Sequence, residues 1–485
     1  MDVLLRGGLV CDPGTGLSRT TDLLVSAGKV AAVGDQLTAP PDAVVLDVSG
    51  LVVGPGFIDL HSHVDSIAGQ RLQAMDGVCA TLELEAGAPR VADAYDAAAQ
   101  QGRPLHYGYA ASWAGARFVA HTGTETQDTL AVLGEPEWQR SSTAAERTTW
   151  LGRLEKELGA GGLGVGILLG YAPRTDPAEF LDVARLASRL DVPTFTHVRE
   201  LIEADPTTPV DGSTEITIAA GETGAAMHHC HVNSTSRRHI DRVLSTLDQS
   251  RSAGSRVTVE AYPYGAGSTA IGAFFLSPER LPAWGMVPSD LVLVETGERI
   301  ADEARLRAVR AADPGAPCIV HYLDERAEAD RALLRGALEF ADSIVASDAM
   351  FVTWQDGTRE STEWPLPPGG RTHPRTAGTF TKSLRLMVRE HGLWSWLEAF
   401  RRCSYLPARV LDQVCADIRG KGHLAVGADA DIVVIDPETV SDRATFADST
   451  RPAQGVCHLL VDGTFVVRDG ALQADAFPGR PLRGN

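Results

Sequence analysis

Two histidines one residue apart, His61 and His63, close the run Gly-Phe-Ile-Asp-Leu-His-Ser-His-Val-Asp at residues 56–65. Side chains two apart on a strand face the same way, and the apolar stretch 51–60 reads as a strand ending at this pair. Two neutral imidazoles on one face supply half of a divalent metal site. Other ligand-type side chains close later apolar runs: His197 ends Thr-Phe-Thr-His, His231 ends Met-His-His-Cys-His, and Asp348 ends Ile-Val-Ala-Ser-Asp. In the stretch 228–231, alternation lets only one or two imidazoles share a face. Alone, each of these residues has an ordinary explanation, a satisfied histidine or a helix N-cap. Gathered at the strand ends of one barrel, they suit one or two Zn²⁺ ions, which lower the pKa of a bound water from 15.7 to about 7. Asp348 is the carboxylate placed to take that water's proton.

The elements that must carry these residues are legible as a pattern. Between the chain ends, apolar strand-like runs (81–85, 105–109, 163–169, 194–197, 225–231, 257–260, 318–321 and 343–346) alternate with helical segments at 177–190, 236–247, 302–312, 325–341 and 379–391. Strands alternating with helices predict βα units around a parallel sheet, here a TIM-like (β/α)8 barrel over residues 55–420. Residues 1–54 and 421–485 share a different texture of short strands broken by Gly, Asp and Pro. They predict one small β-sandwich domain built from both ends. The Gly/Pro-rich stretch 357–374 is too long for a simple connector and reads as an active-site loop.

Composition narrows the classes. The 485 residues carry a formal net charge of −19, which disfavours nucleic acid and anionic membranes as partners. An anionic substrate must therefore be held by local cations. No segment approaches a membrane span or a signal peptide. Seven cysteines, with no C-x-x-C, read as reduced thiols of a cytoplasmic protein. The expected partner is a small molecule, and a homo-oligomer is compatible with everything in the sequence.

With these residues in view, the chain resembles the amidohydrolase superfamily and, within it, the N-acyl-D-amino-acid deacylases (D-aminoacylases). Gly54-Pro-Gly-Phe-Ile-Asp-Leu-His-Ser-His63 resembles the superfamily's first-strand motif. Residues 161–173 and Thr196-His-Val-Arg-Glu200 are similar to the deacylases' fourth and fifth strand segments. The stretches 261–269, 347–348 and 373–380 resemble that group more specifically, and residues 428–437 resemble its return to the β-sandwich. The resemblance implies a zinc-dependent hydrolase of N-acyl-D-amino acids or similar carboxylate-bearing amides. It also implies that Tyr262, Ser268 and Arg375 read the substrate carboxylate. Arg375 offers a bidentate fork for that group, and Arg199 is the next cation available.

One departure concerns the metal bridge. The deacylases usually carry a cysteine at the end of the second strand, whereas this chain has Gly77-Val-Cys-Ala-Thr-Leu-Glu-Leu-Glu-Ala-Gly87, with Cys79 near the strand's start. Glu83 and Glu85 share a face, and a carboxylate can bridge two metals. Glu85 lies nearer the catalytic end and is expected to be the ligand. Asn233 stands where relatives often carry a basic residue. Two rival readings are a cyclic amidase of the hydantoinase or dihydroorotase kind, which His231-Val-Asn-Ser also resembles, and a barrel without catalysis.

Overall fold

The computed structural model describes residues 1–485. Eight strands form one sheet: β1 (Phe57–Asp59), β2 (Val78–Ala88), β3 (His106–Ser112), β4 (Val165–Leu168), β5 (Thr194–His197), β6 (Met227–His229), β7 (Val257–Ala261) and β8 (Ser343–Val345). Their order is β8-β7-β6-β5-β4-β3-β2-β1, and the pairs β1–β2, β3–β4, β4–β5, β5–β6 and β6–β7 run parallel. Beyond the strand ends, Ser62 bridges Ala349 and the His63 amide donates to the Ala349 carbonyl at 2.8 Å. That contact joins first strand to last, so the sheet is a nearly closed (β/α)8 barrel. Its strands are buried and dominated by apolar residues, as a parallel sheet covered on both faces requires.

The two chain ends build a second sheet. Strands Val3–Asp12, Leu17–Ser26, Lys29–Gly34, Val44–Asp47 and Val52–Pro55 from the front join Ile432–Ile435, Val456–Val461, Thr464–Arg468 and Ala471–Leu472 from the back. The seam is the antiparallel pairing of Val52–Pro55 with Ile432–Ile435, and a cluster including Val3, Leu23, Val53, Ile432, Val434 and Leu460 fills its core.

The structure corrects the strand list at two points. The apolar run 51–60 is two strands in two sheets, parted at Gly56, and the passage is tight enough to need glycine: a Cβ at Gly54 would lie 2.2 Å from the Phe400 ring and one at Gly56 2.7 Å from Cys79. Pro317–His321 lies outside the barrel, pairing antiparallel with Ala266–Ala270 and Leu291–Leu293 in a three-stranded sheet. The loop at 351–373 is irregular, with its base held by the Thr353–Arg371 bridge.

By compactness the chain divides into residues 1–82, 96–108 and 344–482 as one unit and 83–95, 109–343 and 483–485 as another. The first unit holds the terminal sheet and a buried cluster below β3. There Lys421 Nζ lies 2.6 Å from an Asp431 oxygen and 3.1 Å from His106 Nε2, and His106 Nε2 is 3.1 Å from the other Asp431 oxygen. Burial opposes the Asp431 charge, but Lys421 and His106 overcome it and hold this carboxyl far below its usual range.

Candidate metal centre

In the second unit, Glu85 near the carboxyl end of β2 is the meeting point of two imidazoles. Its Oε1 lies 3.1 Å from His197 Nδ1 and 2.7 Å from His231 Nε2, and the three form a group able to hold a metal ion. His197 is the last residue of β5. His231 lies two residues past β6, in a left-handed backbone conformation with φ of 31°. Such conformations cost about 1–3 kcal/mol and gather at functional sites. Ser234, one helical turn on, lies 3.0 Å from His231 Nδ1 and donates to the His231 carbonyl at 3.2 Å. With Nδ1–H donating to the serine oxygen, the Nε2 lone pair is left for a metal, as in most histidine sites. Two imidazole nitrogens about one carboxylate oxygen are a donor set that fits Zn²⁺.

The other two histidines of this segment make different contacts. His228 lies 2.8 Å from Thr258 Oγ1 and 2.9 Å from Glu260 Oε2. His229 directs Nδ1 to the Cys230 carbonyl, and burial lowers its pKa to about 3. Glu83 accepts the Ala86 amide at 3.2 Å.

The first unit carries a matching arrangement. Asp348 Oδ1 lies 3.5 Å from His61 Nε2, 3.4 Å from His63 Nε2 and 2.8 Å from an Arg375 nitrogen. Asp348 stands three residues beyond β8 with φ of 49°. Both His231 and Asp348 thus sit in post-strand turns rather than at the strand ends where the sequence places them. Beneath this group Asp59 ties β1 to the β8 turn: it accepts the Ser347 amide at 2.9 Å, the Ser347 hydroxyl, the His61 amide at 3.3 Å and Gln73 Nε2 at 2.8 Å. Burial pushes the Asp59 carboxyl up to about 7 against these donors. Asp59 and Ser347 stand inside the first-strand and last-strand motifs, but nothing in the spacing of those motifs marks their pairing.

Of the carboxylate-reading set, Arg375 contacts Asp348 as described, and its side chain is fully buried. Tyr262 is buried just past β7, and Ser268 lies half-buried on Ala266–Ala270. Asn233 holds the tyrosine turn: its Oδ1 accepts the Tyr262 amide at 3.3 Å while its Nδ2 donates to Tyr322 Oη at 2.7 Å. Arg199 is not presented to a substrate. Its Nε and Nη2 grip Glu215 at 2.8 and 3.0 Å and its Nη1 donates to the Pro173 carbonyl, all buried. A buried guanidinium neutralised in this fork is structural. Tyr171 and Phe275, whose ring centres lie 4.9 and 6.0 Å from His197, give this part of the unit an aromatic wall that the sequence did not reveal.

A nearly closed (β/α)8 barrel with imidazoles and carboxylates beyond its strands is the architecture of a metal-dependent hydrolase. The amidohydrolase family profile matches residues 44–467, and the chain belongs to that family. It is therefore a hydrolase of carbon–nitrogen amide bonds. It is similar to an N-acyl-D-glutamate deacylase of Alcaligenes xylosoxydans xylosoxydans, with 29% identity over 100% of this chain and 96% of the relative. An N-acyl-D-aspartate deacylase of the same organism is 28% identical over 99% and 95%. Among solved structures, the N-acyl-D-glutamate deacylase of Bordetella bronchiseptica, complexed with zinc and a phosphonate inhibitor that mimics the tetrahedral intermediate, superposes with a TM-score of 0.77. It shares 26% identity and covers 100% of this chain and 99% of its own.

Proposed function

We propose that this amidohydrolase is a zinc-dependent deacylase of N-acyl-D-amino acids. The residues that would hold one or two Zn²⁺ ions are Glu85, His197 and His231 in one unit and His61, His63 and Asp348 in the other, Glu85 being the carboxylate that would bridge. The observation that carries the reading is the carboxylate of Glu85 set between His197 Nδ1 and His231 Nε2. Its support from similarity is the likeness to deacylases over whole chains and to a zinc-containing one in structure. The bound metal supplies an acidified water and a positive charge beside the scissile carbonyl.

The remaining work belongs to the chain's own residues. Asp348 Oδ1 accepts a proton from the attacking water and passes it to the leaving amine nitrogen as the C–N bond breaks. Arg375, 2.8 Å from the same oxygen, orients Asp348 and offers its guanidinium to the substrate carboxylate. Tyr262, held by Asn233, and Ser268 add hydroxyl donors. Ser234 fixes the His231 ring. A cyclic amidase acting on an uncharged ring, such as a hydantoin, has no need of a free-carboxylate reader such as Arg375.

The test compares Asp348→Asn with wild type. The amide keeps the shape but cannot take the proton, so kcat should fall by at least roughly 10²–10⁴-fold, the range general acid–base catalysis supplies, when the two proteins are compared at equal measured zinc content. A near-normal rate in a metal-loaded Asp348→Asn protein removes Asp348 from proton transfer.

A further inference from the structure

His231 is held by a side chain where the sheet has run out of main-chain partners. β6 and β7 pair in register from Met227–Val257 to His229–Val259, and the chain leaves β6 two residues before His231. The Cys230 amide still donates to the Thr196 carbonyl of β5 at 3.0 Å. The next amide, that of His231, donates to Glu260 Oε1 at 3.2 Å. It does so where the backbone turns left-handed, with φ of 31°, a conformation that a residue with a β-carbon keeps only when its surroundings hold it there. Glu260 is placed for this by alternation. It stands on β7 two residues beyond Thr258, the register partner of His228, so Thr258 and Glu260 share one face of the sheet with His228.

The second oxygen of Glu260 is fixed as well. Oε2 lies 2.9 Å from His228 Nε2, and His228 Nδ1 lies 2.8 Å from Thr258 Oγ1. In the neutral ring Nε2–H donates to the carboxylate and Nδ1 accepts the Thr258 hydroxyl. The Phe195 ring packs against this imidazole with centres 5.6 Å apart. Both Glu260 and His228 are fully buried, so the carboxylate is a rigid backstop and not a solvated side chain. Asn233 returns the contact from the other strand, its Oδ1 accepting the Tyr262 amide at 3.3 Å. The turns after β6 and β7 are therefore clasped by exchanged hydrogen bonds. Ser234 sets the rotation of the His231 ring, and the clasp sets the backbone from which that ring projects.

We propose that Glu260, locked by His228, is a positioning residue for His231: it fixes the left-handed turn from which Nε2 reaches Glu85. It acts through the reach of its acceptor oxygen and not through its charge, because that oxygen meets the main chain of His231 and not its ring. This deepens the zinc reading and rests on it.

Two variants separate reach from charge. Glu260→Gln keeps the length and loses the charge. Its carbonyl oxygen still accepts the His231 amide, and its NH2 donates to His228 Nε2 once that ring carries its proton on Nδ1 and donates to Thr258 Oγ1. Glu260→Asp keeps the charge and falls one methylene short. Zinc affinity is read by competition with a chromogenic chelator, without substrate. It should stay near wild type in Glu260→Gln and fall about 10–100-fold in Glu260→Asp, the range for lost supporting partners of a metal ligand. Leu247→Ala, a core truncation on the helix Ile240–Ser252, should lower the urea midpoint and leave zinc affinity in place. A loss in Glu260→Gln comparable to that in Glu260→Asp, no loss in Glu260→Asp, or an equal loss in Leu247→Ala overturns the proposal. Glu260→Met repeats the measurement if the aspartate variant does not fold. A wild type that takes up no zinc would count against the metal reading, and amide hydrogen exchange then decides the brace by itself. Residues 229–234 should be protected in wild type and Glu260→Gln and exchange faster in Glu260→Asp, and equal rates in the three proteins would refute the brace.

Discussion

Glu85 is the residue on which the metal chemistry turns, because two imidazole nitrogens meet a single one of its oxygens. Glu85→Ala should lose metal and activity together, measured by elemental analysis of the purified protein alongside turnover. Full metal occupancy in that variant would remove the bridging role. Ser234→Ala tests the support of the ring rather than the ligand: metal affinity should fall about 10–100-fold, as it does when such supporting partners are deleted, with zinc competition by a chromogenic chelator as the readout. Both glutamates of the second strand were visible in the sequence, and alternation placed them on one face. What separates them is three-dimensional, since Glu83 turns back to the Ala86 amide. Arg199 shows the reverse limit. Its position beside His197 suggests a substrate reader, but Glu215 lies sixteen residues away on the helix Gly212–Thr223, and a pairing at that distance leaves no mark in local pattern.

At the level of elements, buried carboxylates join strands and helices and give the fold a pH dependence. Asp76, at the end of helix Ile67–Met75, accepts the Phe380 and Thr381 amides at 2.8 and 2.9 Å and so caps the helix Thr379–Leu384. Burial raises its carboxyl to about 7 despite these donors. An acid whose folded pKa exceeds its unfolded value of 3.8 binds more protons in the native state between about pH 4 and 7, so stability falls as pH rises across that window. Asp59 works in the same direction. Urea midpoints at pH 5 and 8 should show the decline. Asp76→Asn should flatten part of it, while lowering stability at both pH values because an amide NH2 then faces amide donors. An unchanged pH slope in Asp76→Asn would contradict the assignment. Element existence was legible because helices such as Pro177–Leu190 and strands such as Thr194–His197 carry strong periodicity and clear caps. The division of 51–60 was not, because it follows from pairing of Val52–Pro55 with Ile432–Ile435, a strand more than three hundred positions away.

For the whole molecule, one chain closes a barrel through Ser62 and Ala349 and a second sheet through its two ends. The −19 charge is formal, and no helix is long and apolar enough to cross a membrane. The Lys421–Asp431–His106 cluster lies beside the terminal sheet and ties residues 421–431 to His106, far back in the chain. Lys421→Met, which strands the Asp431 charge in the interior, should cost about 3–5 kcal/mol, read from denaturant midpoints, and a loss under 1 kcal/mol would show the cluster to be replaceable. The central claim, however, is that these folded parts present a zinc-dependent site for N-acyl-D-amino acids. The direct measurement is release of free amino acid from matched N-acetyl-D- and N-acetyl-L-amino acids, with hydantoins in parallel, by protein that is zinc-loaded, chelator-stripped and then zinc-restored. The account predicts hydrolysis of the D series alone, abolished by stripping and recovered with zinc. Hydantoin opening without deacylation, or deacylation unaffected by metal removal, would contradict it.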